Sequence, residues 1–353
     1  MDKLKFTLLG LVILLTFHAN YAQDVVVGDE SAISVAKAEE FYNSGIEKFN
    51  AKDLNGAITD FDSAIVLVPT FEKAIFNRGS VKFQKKDYTG AIIDLNTVIQ
   101  LNANYTGVYF LKARSHYERN EKDQAMVDFT KAIEQENTNA DAYYYRGGLY
   151  FLQEKYTEAI SDYDNAIKNK PNYAYAFNDR GSAKRQTNDI TGAIADYKKA
   201  VLADDKLYFA YNNLGSVLRI NKQYDEAIKS YDKAIVLKND YYIAYNNRGY
   251  TKHEKGDYKA AIEDFNDAIR LKASYVQAYN NRAASKYKLE DYKGTVEDCN
   301  KAILLNDDFG PAYLNRGIAN EMLRKEDKAC EDWNKAASLG LKNGKTFAQE
   351  SCN

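Results

Sequence analysis

The chain of 353 residues holds three histidines, three cysteines and three prolines, and neither sign of charge prevails, with 48 Lys and Arg against 50 Asp and Glu. Phosphate neutralisation requires bases that are not already answered by acids, so the balance speaks against a nucleic-acid partner. Cys299, Cys330 and Cys352 are spaced for no metal site. Histidine-centred acid–base chemistry is confined to His116 and His253, because His18 falls in an N-terminal export segment, and no nucleophile-turn signature accompanies either. The run from Gly340 to Thr346 is one residue short of a phosphate loop and follows a helical pattern instead of a strand. The sequence implies no catalytic centre, no metal and no cofactor; a non-enzyme is expected.

What is present begins with Lys3 and Lys5, an apolar run from Leu8 to Phe17, and Ala19-Asn20-Tyr21-Ala22. This is the pattern of a secretory signal peptide, too short to span a bilayer, with Ala22 as the small residue before cleavage. Retention as an anchor is the alternative. Residues 1–22 are read as signal and 23–37 as a leader, which implies an exported protein, periplasmic or secreted, with no membrane insertion after signal removal. An oxidising compartment allows one disulfide and one free thiol among the three cysteines.

Shifted by 34 residues, the chain superposes on itself from residue 38 to 343 as nine copies, starting at Ala38, Glu72, Thr106, Ala140, Ala174, Tyr208, Tyr242, Val276 and Gly310. Position 8 is Gly in seven copies and Ala113 or Ala283 in the others; positions 20 and 27 are each Ala in eight, with Thr295 and Val98 the exceptions. Tiny residues at fixed points of two successive helical patterns let two helices cross closely, so each copy is a helical hairpin. Pro69, Pro171 and Pro311 keep to boundaries. Residues 344–353 form a tail that must cover the last hairpin. Cys299 falls at a core position, 24, which leaves Cys330 and Cys352 as the disulfide candidates to pin that tail.

This pattern resembles the tetratricopeptide repeat (TPR) family. Copy six carries it in Tyr211, Leu214, Gly215, Ala227, Tyr231 and Ala234, although Asn239 stands where the family often has proline. The resemblance implies an all-α fold, a right-handed α-solenoid superhelix of hairpins with a concave face lined mainly by first helices.

Position 7 is basic in seven copies, position 11 is often Lys, and position 23 is Asp in every copy but the sixth, where Leu214, Leu218 and Ser230 replace all three. That joint change argues for an ion pair inside each hairpin and against a phosphate-binding stripe.

Positions 5, 9 and 12 share a helical face, which the resemblance places along the groove. Position 5 runs Tyr42, Phe76, Phe110, Tyr144 and then Asn178, Asn212, Asn246, Asn280; position 6 adds Asn213, Asn247 and Asn281. Rings hold apolar side chains and amides pair with both N–H and C=O, so the face suits an extended polypeptide. The alternative is that the rings pack against neighbouring copies and the amides are merely solvated. A clamp for chaperone C-terminal carboxylates is excluded, since position 9 never holds the Asn that it needs. The expectation is a non-catalytic scaffold binding a peptide or protein segment; the alternative is a regulatory or assembly subunit of a partner enzyme or envelope complex.

Overall fold

The computed structural model describes residues 29–352, so the signal segment, residues 1–22, lies outside it. Among the described residues there are 19 helices and no strand. They fall into two compact units, residues 1–103 and 104–353. The first holds hairpin one (Asp29–Asn50 and Leu54–Leu67) and hairpin two (Glu72–Gln84 and Tyr88–Leu101). The second runs from hairpin three (Val108–Glu118 and Lys122–Gln135) to hairpin nine (Gly310–Met322 and Glu326–Ser338) and ends in a single helix, Lys342–Ser351. The opening helix begins at Asp29, so the stretch from Asp29 to Lys37, read as leader, is helical.

Each hairpin turns in the same way. Position 15 takes a left-handed conformation in every hairpin, as in Lys52 (φ 65°), Lys222 (φ 59°) and Glu290 (φ 63°); hairpin seven supplies the residue best suited to it, Gly256 (φ 93°), and hairpins three and five the next best, Asn120 and Asn188. The next residue caps the second helix. Asp53, Asp87, Asp189 and Asp291 each accept the backbone N–H three residues on, at 2.9 Å, satisfying one donor that the helix start leaves open.

The hairpin core is one ring in a nest of small residues. Phe61, Phe129, Tyr163, Tyr197, Tyr231, Phe265 and Trp333 at position 24 are all sealed from solvent, each burial contributing about 2–3 kcal/mol. Position 8 admits nothing larger than Gly or Ala because that ring lies against it: a Cβ on Gly215 would sit 2.7 Å from Tyr231 Cε1. Cys299 fills the ring slot of hairpin eight as a buried free thiol, and burial pushes its pKa up. The last helix covers hairpin nine, with Phe347 against Trp333 at 5.4 Å and Gly344 close upon Ala336. Cys330 and Cys352 are joined as a disulfide.

Candidate functional site on the first helices

Two networks use the polar residues of the first helices. In the charged one, Arg248 gives Nε and Nη2 to Asp264 at 3.0 and 2.6 Å, and Lys252 reaches the same carboxylate at 2.8 Å. Burial works against the Arg248 charge, but the bonds to Asp264 and Asp232 outweigh it and its pKa is raised. The third guanidinium nitrogen, Nη1, bonds Asp232 of the preceding hairpin at 2.6 Å. Arg78, Arg146, Arg180, Arg282 and Arg316 bridge in the same way, from the position-23 Asp of their own hairpin to Asp62, Thr130, Asp164, Asn266 or Asn300 at position 25 of the one before. The basic stripe thus fastens helices within and between hairpins. In hairpin six the substitutes Leu214 and Leu218 are buried in an apolar cluster with Val217 and Tyr231.

The second network is a ladder. The amide at position 6 of one hairpin donates to the position-5 side chain of the hairpin before: Asn213 to Asn178 at 3.1 Å, Asn247 to Asn212 and Asn281 to Asn246 at 3.0 Å, Asn315 to Asn280 at 2.9 Å. In the first unit Asn77 donates to the Tyr42 hydroxyl at 3.0 Å. The amides at positions 5 and 6 are therefore joints between hairpins as well as a polar surface. Asn178, Asn212 and Asn246 are buried, and Asn280 is half-buried.

The aromatic half also faces inward. Tyr42 packs on Phe61 and Phe71 at 5.9 and 5.2 Å, Tyr144 on Tyr163 and Tyr173 at 6.0 and 4.9 Å, and Phe110 on Phe129 at 6.1 Å. Tyr144 is buried; Tyr42, Phe76 and Phe110 are half-buried. Position 12 meets its own second helix in Phe83 on Tyr88 and Phe151 on Tyr156, and the next hairpin in Tyr117 on Tyr145, all at 5.4 Å. The open stripe of the first helix is one step round, where Tyr250 at position 9 and Leu152, Ile220 and Met322 at position 13 stand exposed. Asn212 Nδ2 and Asn213 Oδ1, a donor beside an acceptor, make no hydrogen bond among the described residues; the Asn280 and Asn281 pair repeats this.

Neither histidine completes a catalytic set. His253 Nδ1 lies 2.8 Å from the Ser285 hydroxyl, but Ser285 is buried and donates to the Asn281 carbonyl, and no carboxylate bonds His253 among the described residues. Burial lowers the His253 pKa. His116 is held between Glu121 at 2.6 Å and Asp128 at 3.6 Å. Among the described residues no cluster of three or more His, Cys, Asp or Glu is placed to hold a metal, and no helix is long and apolar enough to cross a membrane.

Family models described as tetratricopeptide repeat match residues 72–105 and 140–173, and one described as TPR repeat matches 215–256 and 249–290. Residues 72–105, 140–173 and 215–290 carry tetratricopeptide repeats. The first two matches coincide with copies two and four of the 34-residue frame. No curated protein matches the chain. Among solved TPR-like structures, the APC/C hetero-tetramer Cut9–Hcn1 aligns with a TM-score of 0.56 at 14% identity over 84% of this chain, which spans 59% of that one. A tetratricopeptide repeat protein from Parabacteroides merdae gives 0.56 at 18% identity over 69% of this chain and 98% of its own. Pseudomonas aeruginosa PilF gives 0.52 at 20% identity over 60% and 97%. At these identities the likeness shows the all-α solenoid fold alone. TPR folds commonly mediate protein–protein or peptide binding and are generally non-catalytic scaffolds.

Proposed function

We propose that this protein is an exported, non-catalytic scaffold whose open first-helix face binds an extended segment of another polypeptide. The observation that carries the reading is the pairing of an unused amide donor with an unused amide acceptor at Asn212 and Asn213, repeated at Asn280 and Asn281. An extended main chain presents N–H and C=O in alternation and can satisfy both without regard to its sequence. Exposed Leu152, Ile220 and Tyr250 alongside add apolar contact. Export is supported by the signal-like residues 1–22 and by the Cys330–Cys352 bond, which needs an oxidising compartment.

The test uses random dodecapeptides selected on the purified protein, with a photoreactive benzoylphenylalanine placed at Ile220 on the open face or at Val236, which is 77% exposed on a second helix. Selected peptides are expected to cross-link at Ile220 and not at Val236. Equal cross-linking, or capture at Val236 alone, overturns the reading. Export is checked by N-terminal sequencing, with Gln23 expected as the first residue of the mature chain and Met1 as the contrary result.

A further inference from the structure

Hairpin five breaks the amide ladder. Position 6, Asn in six of the copies, is Asp179 there. Tyr144 donates its hydroxyl to one carboxylate oxygen at 2.8 Å, and Asn178 donates to the other at 2.9 Å. Both donors are neutral, and among the described residues Asp179 belongs to no ion pair, whereas Asp162, Asp196, Asp264, Asp298 and Asp332 in the same unit each meet an arginine. A half-buried carboxylate with hydrogen bonds but no counter-charge is electrostatically incomplete. Burial raises its pKa, and burial likewise is the main cause that raises those of Tyr117, Tyr163, Tyr173 and Tyr175, to which the Asp179 charge adds a smaller part.

The neighbouring hairpin leaves room beside it. In hairpins five and six the position-24 tyrosine is satisfied by a serine at position 9: Tyr197 by Ser182 at 3.0 Å and Tyr231 by Ser216 at 3.3 Å. In hairpin four that serine is Gly148. A Cβ built there would meet nothing nearer than the Tyr163 hydroxyl at 3.9 Å, so the site is open. The Tyr163 hydroxyl consequently makes no hydrogen bond among the described residues, although its side chain is buried. Gly148 lies one turn beyond Tyr144, the residue that holds Asp179. An unpaired acid, an unused hydroxyl acceptor, tyrosine rings and a gap thus converge where hairpins four and five meet.

We propose that Asp179, the Tyr163 hydroxyl and the gap at Gly148 form a subsite for a lysine or arginine side chain of the bound polypeptide. The cation supplies the missing counter-charge, donates to both oxygens and lies against ring faces that attract positive charge. This inference rests on the binding-scaffold reading and names a residue class that its partner must carry.

The probe is a displayed library of random dodecapeptides selected on the purified wild-type protein and on Asp179→Asn and Gly148→Ser. Both variants place a residue that other hairpins already use at that position, and unchanged far-ultraviolet circular dichroism confirms their folding. Wild type is expected to enrich peptides with a Lys or Arg at one fixed position. Each variant should lower the affinity of those peptides at least about tenfold and erase the enrichment, while a norleucine analogue binds all three proteins alike. Enrichment that persists in both variants, or selected peptides without a basic residue, overturns the subsite and leaves the scaffold reading standing. Failure to select any peptide overturns both.

Discussion

Replacing Asp264 by Asn keeps the shape of the side chain and removes the charge that Arg248 and Lys252 share. Asp264 is 3% exposed, so the loss falls on a buried centre. Breaking a buried ion pair from one side costs about 3–5 kcal/mol. Here the low end is reduced, because Arg248 retains Asp232 at 2.6 Å and Lys252, 20% exposed, can turn to water. The expected loss is roughly 2–3 kcal/mol. In a repeat array stability is largely local, so the assay is hydrogen exchange by mass spectrometry over Tyr242–Leu271. Amides there should exchange roughly 30- to 150-fold faster, with little change in hairpins distant in sequence. A companion variant, Arg248→Leu with Lys252→Leu and Asp264→Ser, copies hairpin six and should fall within about 1 kcal/mol of wild type, since apolar replacement of a whole buried pair is often neutral. Unchanged exchange in Asp264→Asn would mean that the buried pair does not hold hairpin seven, as would a triple variant worse than the single.

The same substitution should act differently elsewhere. At Asp128 burial raises the carboxyl pKa, and Lys112 at 3.4 Å and His116 at 3.6 Å do not reverse it. A raised carboxyl favours folding in its protonated form and loses that contribution as pH rises through the folded pKa. Asp128→Asn should therefore be neutral or stabilising for hairpin three at pH 7, read by thermal unfolding. Glu290→Gly, at φ 63°, should stabilise by about 0.5–1 kcal/mol and raise the melting temperature. Cys330→Ser releases a cross-link across a sequence separation of 22 and should loosen the Lys342–Ser351 helix by about 3 kcal/mol, visible as early exchange of its amides.

The hairpin frame was legible because close helix crossing demands tiny residues at positions 8, 20 and 27, and only a fixed period supplies them. The charge pairs were legible in the joint exception of hairpin six. What periodicity could not settle was rotation. Positions 5, 9 and 12 share a face, but a first helix lies between its own partner and the next hairpin, and the packing of Tyr144 on Tyr163 turns position 5 inward by about one helical step. The ladder and the arginine bridges join residues of different copies, 35 and 16 apart, and comparison within one copy does not see them. Asp179 carries a signal in the sequence, an acid in a column of asparagines, but its partners Tyr144 and Asn178 are set by the fold.

The most direct measurement is a crystal structure with a selected peptide bound. Peptide main chain is expected within hydrogen-bond distance of Asn212 Nδ2 and Asn213 Oδ1, running past Ile220 and Tyr250. A peptide seated instead on the second-helix face, at Leu202, Val236 or Leu304, would contradict it.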